Sequence, residues 1–298
     1  MTNHVPSLTL RQLLCVKRNV LKLDAFASRW ADNQRFVYGY TRHFEYALAL
    51  DMIFQRSQAR VLDIGSGFSI FPLYLASHGH TVIQSDYDTI FLRQQEDLRQ
   101  TPFAALLGRT LHFAVLDARH LPAADGSMDF VTFISSIEHV PAGYDRQMMA
   151  EIARVLKPGG RALVTTEVSD RDSQFFMEMP GHFGYQYTAE FARHEVIPFK
   201  VNYLDPDEVP KKGESIACQR SYSFAGMMAL LPAGTRCVAA GFYGECRPLR
   251  CRYWWETRPW TRRWASALSV MCSWPIKPRW FRPWWSEAPT GYLLLEKL

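Results

Sequence analysis

The heptapeptide VLDIGSG at residues 61–67 decides how the rest of the chain is read. A short apolar run ends in Asp63 and Ile64 and enters Gly65-Ser66-Gly67, after which helical spacing begins. This is a strand, a sharp turn and a helix start. Missing side chains let the backbone approach a ligand, and a helix N-terminus favours negative charge there. In an open parallel sheet, the crevice beyond the strand ends is where ligands bind. Dinucleotide sites carry a third glycine three residues after the second, a position held here by Ile70. A nucleoside without a pyrophosphate is therefore favoured. The next strand ends near Asp86, about twenty residues on, where a carboxylate can accept both hydroxyls of a ribose.

Outward from this turn, short apolar runs alternate with amphipathic segments, the rhythm of βαβ units on a parallel sheet. The pattern predicts strands at 60–64, 80–84, 110–115, 129–134 and 160–166, with helices at 69–78, 88–100 and 144–156. Residues 1–58 have helical spacing and are expected to form a helical N-terminal cap, leaving 59–298 as the main domain. The rhythm breaks at about 169–219, read as an irregular insertion. It resumes with a helix at 223–231 and a strand at 235–242, breaks again at about 244–288, and closes on a strand from Tyr292 to Leu295. So late a strand means that the second irregular stretch is inserted before the last strand. The fold expected is α/β, a doubly wound, mostly parallel, seven-stranded Rossmann-like sheet.

Further motifs narrow the chemistry. LDARHLP at 116–122 and GSMDFV at 126–131 are followed by FISSIEHV at 133–140 and EIARVLKPGG at 151–160. In this order they closely resemble the class I S-adenosylmethionine-dependent methyltransferase superfamily, small-molecule or lipid type, over 60–166. The resemblance implies S-adenosyl-L-methionine as cofactor. It sets Asp63 and the backbone of Gly65, Ser66 and Gly67 against the methionine part, Asp86 against the ribose, and Asp117 with the Ala118 amide against the adenine. Tyr87 is a candidate to lie along the adenosine, and Ser135 joins the cofactor site at the fourth strand's end. His139 is the candidate general base, with Glu138 beside it, because an imidazole titrates in the range needed to take a proton from a hydroxyl. The alternative for His139 is packing or hydrogen bonding alone. Ubiquinone-biosynthesis O-methyltransferases carry a similar Glu-x-x-Glu-His passage that binds a divalent cation. Ser135 replaces the first Glu here, so no metal is expected.

Composition bounds the rest. With 48% apolar and 21% charged residues, a folded globular chain is expected. Six cysteines without CxxC pairing and no leader-like N-terminus point to the cytoplasm, without disulfides. The net charge of +5 is concentrated between Arg247 and Arg282, which hold nine basic residues and one acid, Glu256. Eight of nine tryptophans lie between Trp254 and Trp285. Tryptophan with arginine suits an interface that is apolar on one side and anionic on the other, so 247–285 is a candidate for peripheral contact with the inner face of a membrane. A lid over the acceptor and a single-strand-binding surface are the other two uses this composition fits. Nucleic acid is disfavoured, since no Asn-Pro-Pro-Tyr type motif follows the fourth strand. The acceptor expected is a small molecule, a saccharide or a lipid-linked compound, methylated at oxygen. Tyr40, Tyr46, Tyr185 and Tyr222 are candidate pocket liners. A cofactor-binding protein without methyl transfer is the rival reading.

Overall fold

The computed structural model describes residues 8–28, 40–140, 143–177, 202–203, 217–245, 273–276 and 290–298. Five parallel strands form its centre: β1 (Arg60–Ile64), β2 (Thr81–Asp86), β3 (Leu111–Val115), β4 (Met128–Ile134) and β5 (Leu156–Glu167). Strand β6 (Ser173–Met177), β7 (Asn202–Tyr203) and β8 (Ala217–Ser221) pair separately, in the order β7-β6-β8. Beyond them come β9 (Thr235–Glu245), β10 (Ser273–Ile276) and β11 (Thr290–Lys297). The main sheet runs β10-β9-β11-β5-β4-β1-β2-β3. Strand order reverses between β1 and β4, which opens the crevice at their carboxyl ends.

The sheet is covered on both faces because its strands alternate between two cores. Val61, Val82, Phe130, Leu163 and Leu294 enter one core, with α1 (Leu10–Ser28), α2 (Tyr40–Ile53) and α3 (Phe71–Ser77). Their neighbours Leu62, Val131, Val164, Leu293 and Leu295 enter the other, with α5 (Tyr144–Val155) and α6 (Phe224–Met228). Period-two side-chain direction makes this division. The N-terminal helices thus share a core with the sheet. Helix α1 starts at a reciprocal cap: the Gln12 amide donates to Thr9 Oγ1 at 3.3 Å, and the Thr9 amide donates to Gln12 Oε1 at 2.9 Å. Leu8 and Leu13, flanking that cap, are both buried.

The seven expected strands form, and the sheet gains an eighth. Strand β11 lies between β5 and β9, antiparallel to both, which puts the late strand inside the sheet with 244–288 inserted before it. Several boundaries move. The helix expected at 69–78 starts at Phe71, because 65–70 are held as a turn. The one expected at 88–100 divides into a 3-10 turn, Thr89–Phe91, and α4 (Leu92–Leu98). Strand β5 starts early, at Leu156, with a register shift between its pairing to Met128 and to Phe130.

The segments expected to be irregular contain strands among their described residues. Strands β6 to β8 stand in the first insertion, and β10 within the second pairs antiparallel with β9 and becomes the edge of the main sheet. These strands are short and find their partners at long range, so local periodicity gives no sign of them. The tryptophan- and arginine-rich stretch, apart from 273–276, lies outside the described residues. Among the described residues no helix is long and apolar enough to cross a membrane.

Candidate functional site

The turn after β1 is built by its glycines. Gly65 has φ +64° and Gly67 φ +48°, both in the left-handed region where a Cβ is strained. A Cβ on Gly65 would lie 2.5 Å from Ser136 Oγ, whereas one on Gly67 would meet nothing within 4 Å. Gly65 is the packed side of the turn and Gly67 the open side. The Ser66 amide donates to the Ser85 carbonyl at 2.9 Å, tying the turn to β2.

Two buried amides, which sequence reasoning missed, hold the turn from beneath. Gln84 Nε2 donates to the Gly67 carbonyl at 3.0 Å and to Gln94 Oε1 at 2.7 Å, while Gln94 Nε2 donates to the Ser69 carbonyl at 2.8 Å. Gln84 follows the apolar pair Val82 and Ile83 in β2, and a glutamine directly after them in a central strand was the available signal.

Asp86 ends β2 beside the turn. Its Oδ2 accepts from the Gly67 amide at 2.8 Å and its Oδ1 from the Asp88 amide at 3.1 Å. Burial pushes its pKa above the ordinary carboxylate value, against the backbone hydrogen bonds, which pull it down. Lone pairs remain on both oxygens for further donors. Tyr87 follows and is 45% exposed.

Asp63 is turned inward. It is 2% exposed, and its carboxylate accepts from the hydroxyls of Ser66 and Thr132. Its observed partners make it a brace between the turn and β4. Asp117, past β3, is engaged by Arg119: the guanidinium Nη2 and Nε donate to Oδ2 at 2.6 and 2.9 Å, and Nε also to Oδ1 at 3.0 Å. That pairing holds the Asp117 pKa below the usual carboxylate range. Arg119 also stands 4.5 Å above the Tyr144 ring. An adenine amino group at Asp117 would have to share the carboxylate with this cation. Ala118 is buried.

The end of β4 closes the crevice. Ser136 Oγ donates to the Gly65 carbonyl at 3.1 Å and the Ile134 carbonyl at 3.0 Å. Ser135, with φ +41°, is the one described non-glycine residue with positive φ. Its amide donates to the Thr165 carbonyl at 3.1 Å, and its hydroxyl donates to Glu45 Oε1 at 2.7 Å. Glu138 and His139 belong to the 3-10 turn Ile137–His139; Glu138 is 2% exposed and His139 half-buried. The structure thus gathers the glycine turn, Asp86 and the β4 terminus at one crevice, with Asp117 at the neighbouring strand end.

The family model described as "Methyltransferase domain" matches residues 62–164, the stretch that contains this crevice. Residues 62–164 are a class I methyltransferase domain. Domains of this class use S-adenosylmethionine. The chain is 40% identical over 115 residues to the biotin biosynthesis bifunctional protein BioHC of Cellvibrio japonicus, an alignment covering 38% of this chain and 20% of that protein. It is 34% identical over 115 residues to a demethylmenaquinone methyltransferase of Beutenbergia cavernae, covering 39% and 43%. Matches of this kind span well under half the length of these curated relatives. Among solved structures, the 1,6-didemethyltoxoflavin-N1-methyltransferase of Burkholderia thailandensis superposes with a TM-score of 0.52 at 14% identity, covering 99% of this chain and 92% of that one. That likeness shows the shared fold.

Several motif residues of the methyltransferase domain do structural work away from the crevice. Asp129, at the start of β4, accepts from Arg56 Nη1 at 2.7 Å, Lys157 Nζ at 2.8 Å and the Arg60 amide at 2.8 Å. Glu151 accepts from the Leu121 amide at 2.7 Å and pairs with Arg154, which donates to the Ala123 and Leu121 carbonyls, each at 2.8 Å. Of the candidate pocket liners, Tyr46 is buried and stacks on Phe71 at 4.8 Å. Tyr222 is buried and its hydroxyl donates to Asp145 Oδ2 at 3.1 Å. The Tyr40 side chain and Tyr185 lie outside the described residues.

Glu45 is the functional candidate that sequence reasoning passed over. It is fully buried on α2 and brings a carboxylate to Ser135 at the β4 terminus. An acid beside the apolar run that follows it was the signal, legible only once α2 is known to cross that strand end. Among the described residues no cluster of three or more His, Cys, Asp or Glu is arranged to hold a metal.

Proposed function

We propose that the chain transfers a methyl group from S-adenosylmethionine to an oxygen of a small-molecule or lipid-linked acceptor. One observation carries the cofactor half: an open glycine turn at the β1 terminus sits directly against the Asp86 carboxylate, inside the stretch matched by the methyltransferase family. The residues present suit that cofactor. Gly67 leaves room for a ligand against the backbone, and Asp86 keeps acceptor capacity for a ribose diol. When bound, the cofactor supplies a methyl group on a positively charged sulfur.

The protein's part is alignment and exclusion of water around an in-line displacement. In this reading Asp86 takes the ribose hydroxyls, the backbone of Gly65, Ser66 and Gly67 lines the methionine part, and Asp63 keeps the turn in shape. Tyr87 flanks the adenosine, with Asp117 and the Ala118 amide at the base. Ser135 and Glu45 border the acceptor side. His139 takes the proton from the acceptor hydroxyl, and Glu138 next to it favours the resulting imidazolium. Oxygen as the atom methylated rests on this placement of His139 past β4. The demethylmenaquinone methyltransferase among the relatives makes an apolar, lipid-like acceptor a natural first choice for screening.

Calorimetric titration with S-adenosylmethionine, S-adenosylhomocysteine and NAD in parallel tests the reading. Saturable binding of the first two with no heat from NAD is expected; silence from both, or a preference for NAD, overturns it. A sharper test uses Asp86. Its raised pKa means that the ionised form, which accepts from hydroxyls, is lost as pH falls through a value above that of an ordinary aspartate. Cofactor affinity of the native chain should weaken over that acidic range. Asp86→Asn should bind on the order of a hundredfold more weakly at neutral pH and show no such acid-side decline. Equal affinity for the two chains at neutral pH would remove Asp86 from the site.

A further inference from the structure

Helix α1 buries one face and leaves another with an unusual composition. Leu13, Val16, Val20 and Leu23 pack inward, and Asn19 Nδ2 donates to the Ala47 carbonyl at 3.2 Å, so the helix is seated on α2. On the outer face Leu10, Leu14 and Leu21 are 70%, 59% and 54% exposed. At 100° per residue these three fall within about 40° of one another around the axis. They form one stripe.

Cations border that stripe on both sides. Arg11, Arg18 and Lys22 are exposed along one border and Lys17 stands on the other, while 10–23 contains no Asp or Glu. A shallow trough of about 410 Å³, lined by Leu10, Arg11, Leu14, Cys15 and Arg18, runs along the same face. The leucines do not serve the fold, because the inward side chains and the Thr9–Gln12 cap already hold the helix.

We infer that the outer face of α1 docks the protein on an anionic lipid bilayer, its leucines entering the acyl boundary and its cations meeting the headgroups. The charge and the geometry favour lipid over a protein groove. A leucine stripe flanked by long cationic side chains, with no acid among residues 10–23, matches a surface that is apolar below and negative above. Each basic residue at such a surface contributes enough to change partitioning several-fold. This inference stands on α1 alone and is independent of the methyltransferase reading.

The test is co-sedimentation of the full-length chain with vesicles of phosphatidylcholine containing 30% phosphatidylserine, and with pure phosphatidylcholine. The native chain is expected to sediment with the first and far less with the second. The triple variants Leu10→Ser/Leu14→Ser/Leu21→Ser and Arg11→Glu/Arg18→Glu/Lys22→Glu should each lower the partition coefficient at least about a hundredfold. Circular dichroism and thermal unfolding should show both variants folded, since the six side chains lie outside the core. Failure of the native chain to bind anionic vesicles overturns the inference. So does binding by both folded variants within twofold of native, which would put the lipid contact elsewhere on the chain.

Discussion

Gly65→Ala should abolish measurable cofactor binding and lower the folding stability by about 2–4 kcal/mol. Two independent costs combine at this residue. The backbone has φ +64°, where an L side chain is strained, and the new Cβ would stand 2.5 Å from Ser136 Oγ and 2.7 Å from Ser136 Cβ. Ser136 has little freedom to yield, because its hydroxyl is engaged with the Gly65 and Ile134 carbonyls. The turn would have to move, carrying with it the Gly67 amide that meets Asp86. Denaturant unfolding and calorimetric titration read the two effects. The double variant Gly65→Ala/Ser136→Gly should recover the part due to overlap and keep the part due to φ. Wild-type affinity in Gly65→Ala would show that the turn does not shape the cofactor site.

Arg220→Ala should destabilise the fold by about 3 kcal/mol or more. Arg220 Nη1 pairs with Asp145 Oδ2 at 2.5 Å, with side chains only 14% and 5% exposed, and its guanidinium lies 4.9 Å from the centre of the Tyr222 ring. Removing the cation leaves the buried Asp145 carboxylate with the Tyr222 hydroxyl and with the amides of Gly143 and Arg146. Breaking one side of a buried pair is more costly than removing both. Asp145→Ala/Arg220→Ala should therefore lose less than the two single variants together, a coupling that urea unfolding can measure. Tyr222 responds to the same environment: burial first, then the Asp145 charge, pushes its pKa up, so the hydroxyl stays protonated as a donor. A loss below about 1 kcal/mol for Arg220→Ala would mean that water reaches Asp145 more freely than its burial indicates.

The Asp145, Arg220 and Tyr222 cluster marks the limit of what local sequence conveys. Arg220 and Tyr222 close the first insertion and Asp145 opens α5, seventy-five residues earlier in the chain. Nothing in the composition of 169–219 announces that its exit is fastened to the helix that follows β4. The same holds for Glu45 and Ser135, ninety residues apart and 2.7 Å from each other. Asp117 is a related case: its place past β3 is legible, but its pairing with Arg119, two residues on, depends on the course of the loop that carries both.

From sequence alone the chain's central architecture follows: strand and helix order, the glycine turn, Asp86 at the end of the second strand, and the late strand that places an insertion before it. These are legible because they rest on short-range rules: alternation along strands, side chains too small to block a backbone, and apolar residues at helical spacing. Tertiary structure alone decided the inward turn of Asp63, the glutamine brace under Gly67, the arrival of Glu45 at Ser135, and the leucine stripe left outside α1. Each depends on which distant segment packs against which. That is settled by filling two cores on opposite faces of one sheet, and no local pattern encodes it.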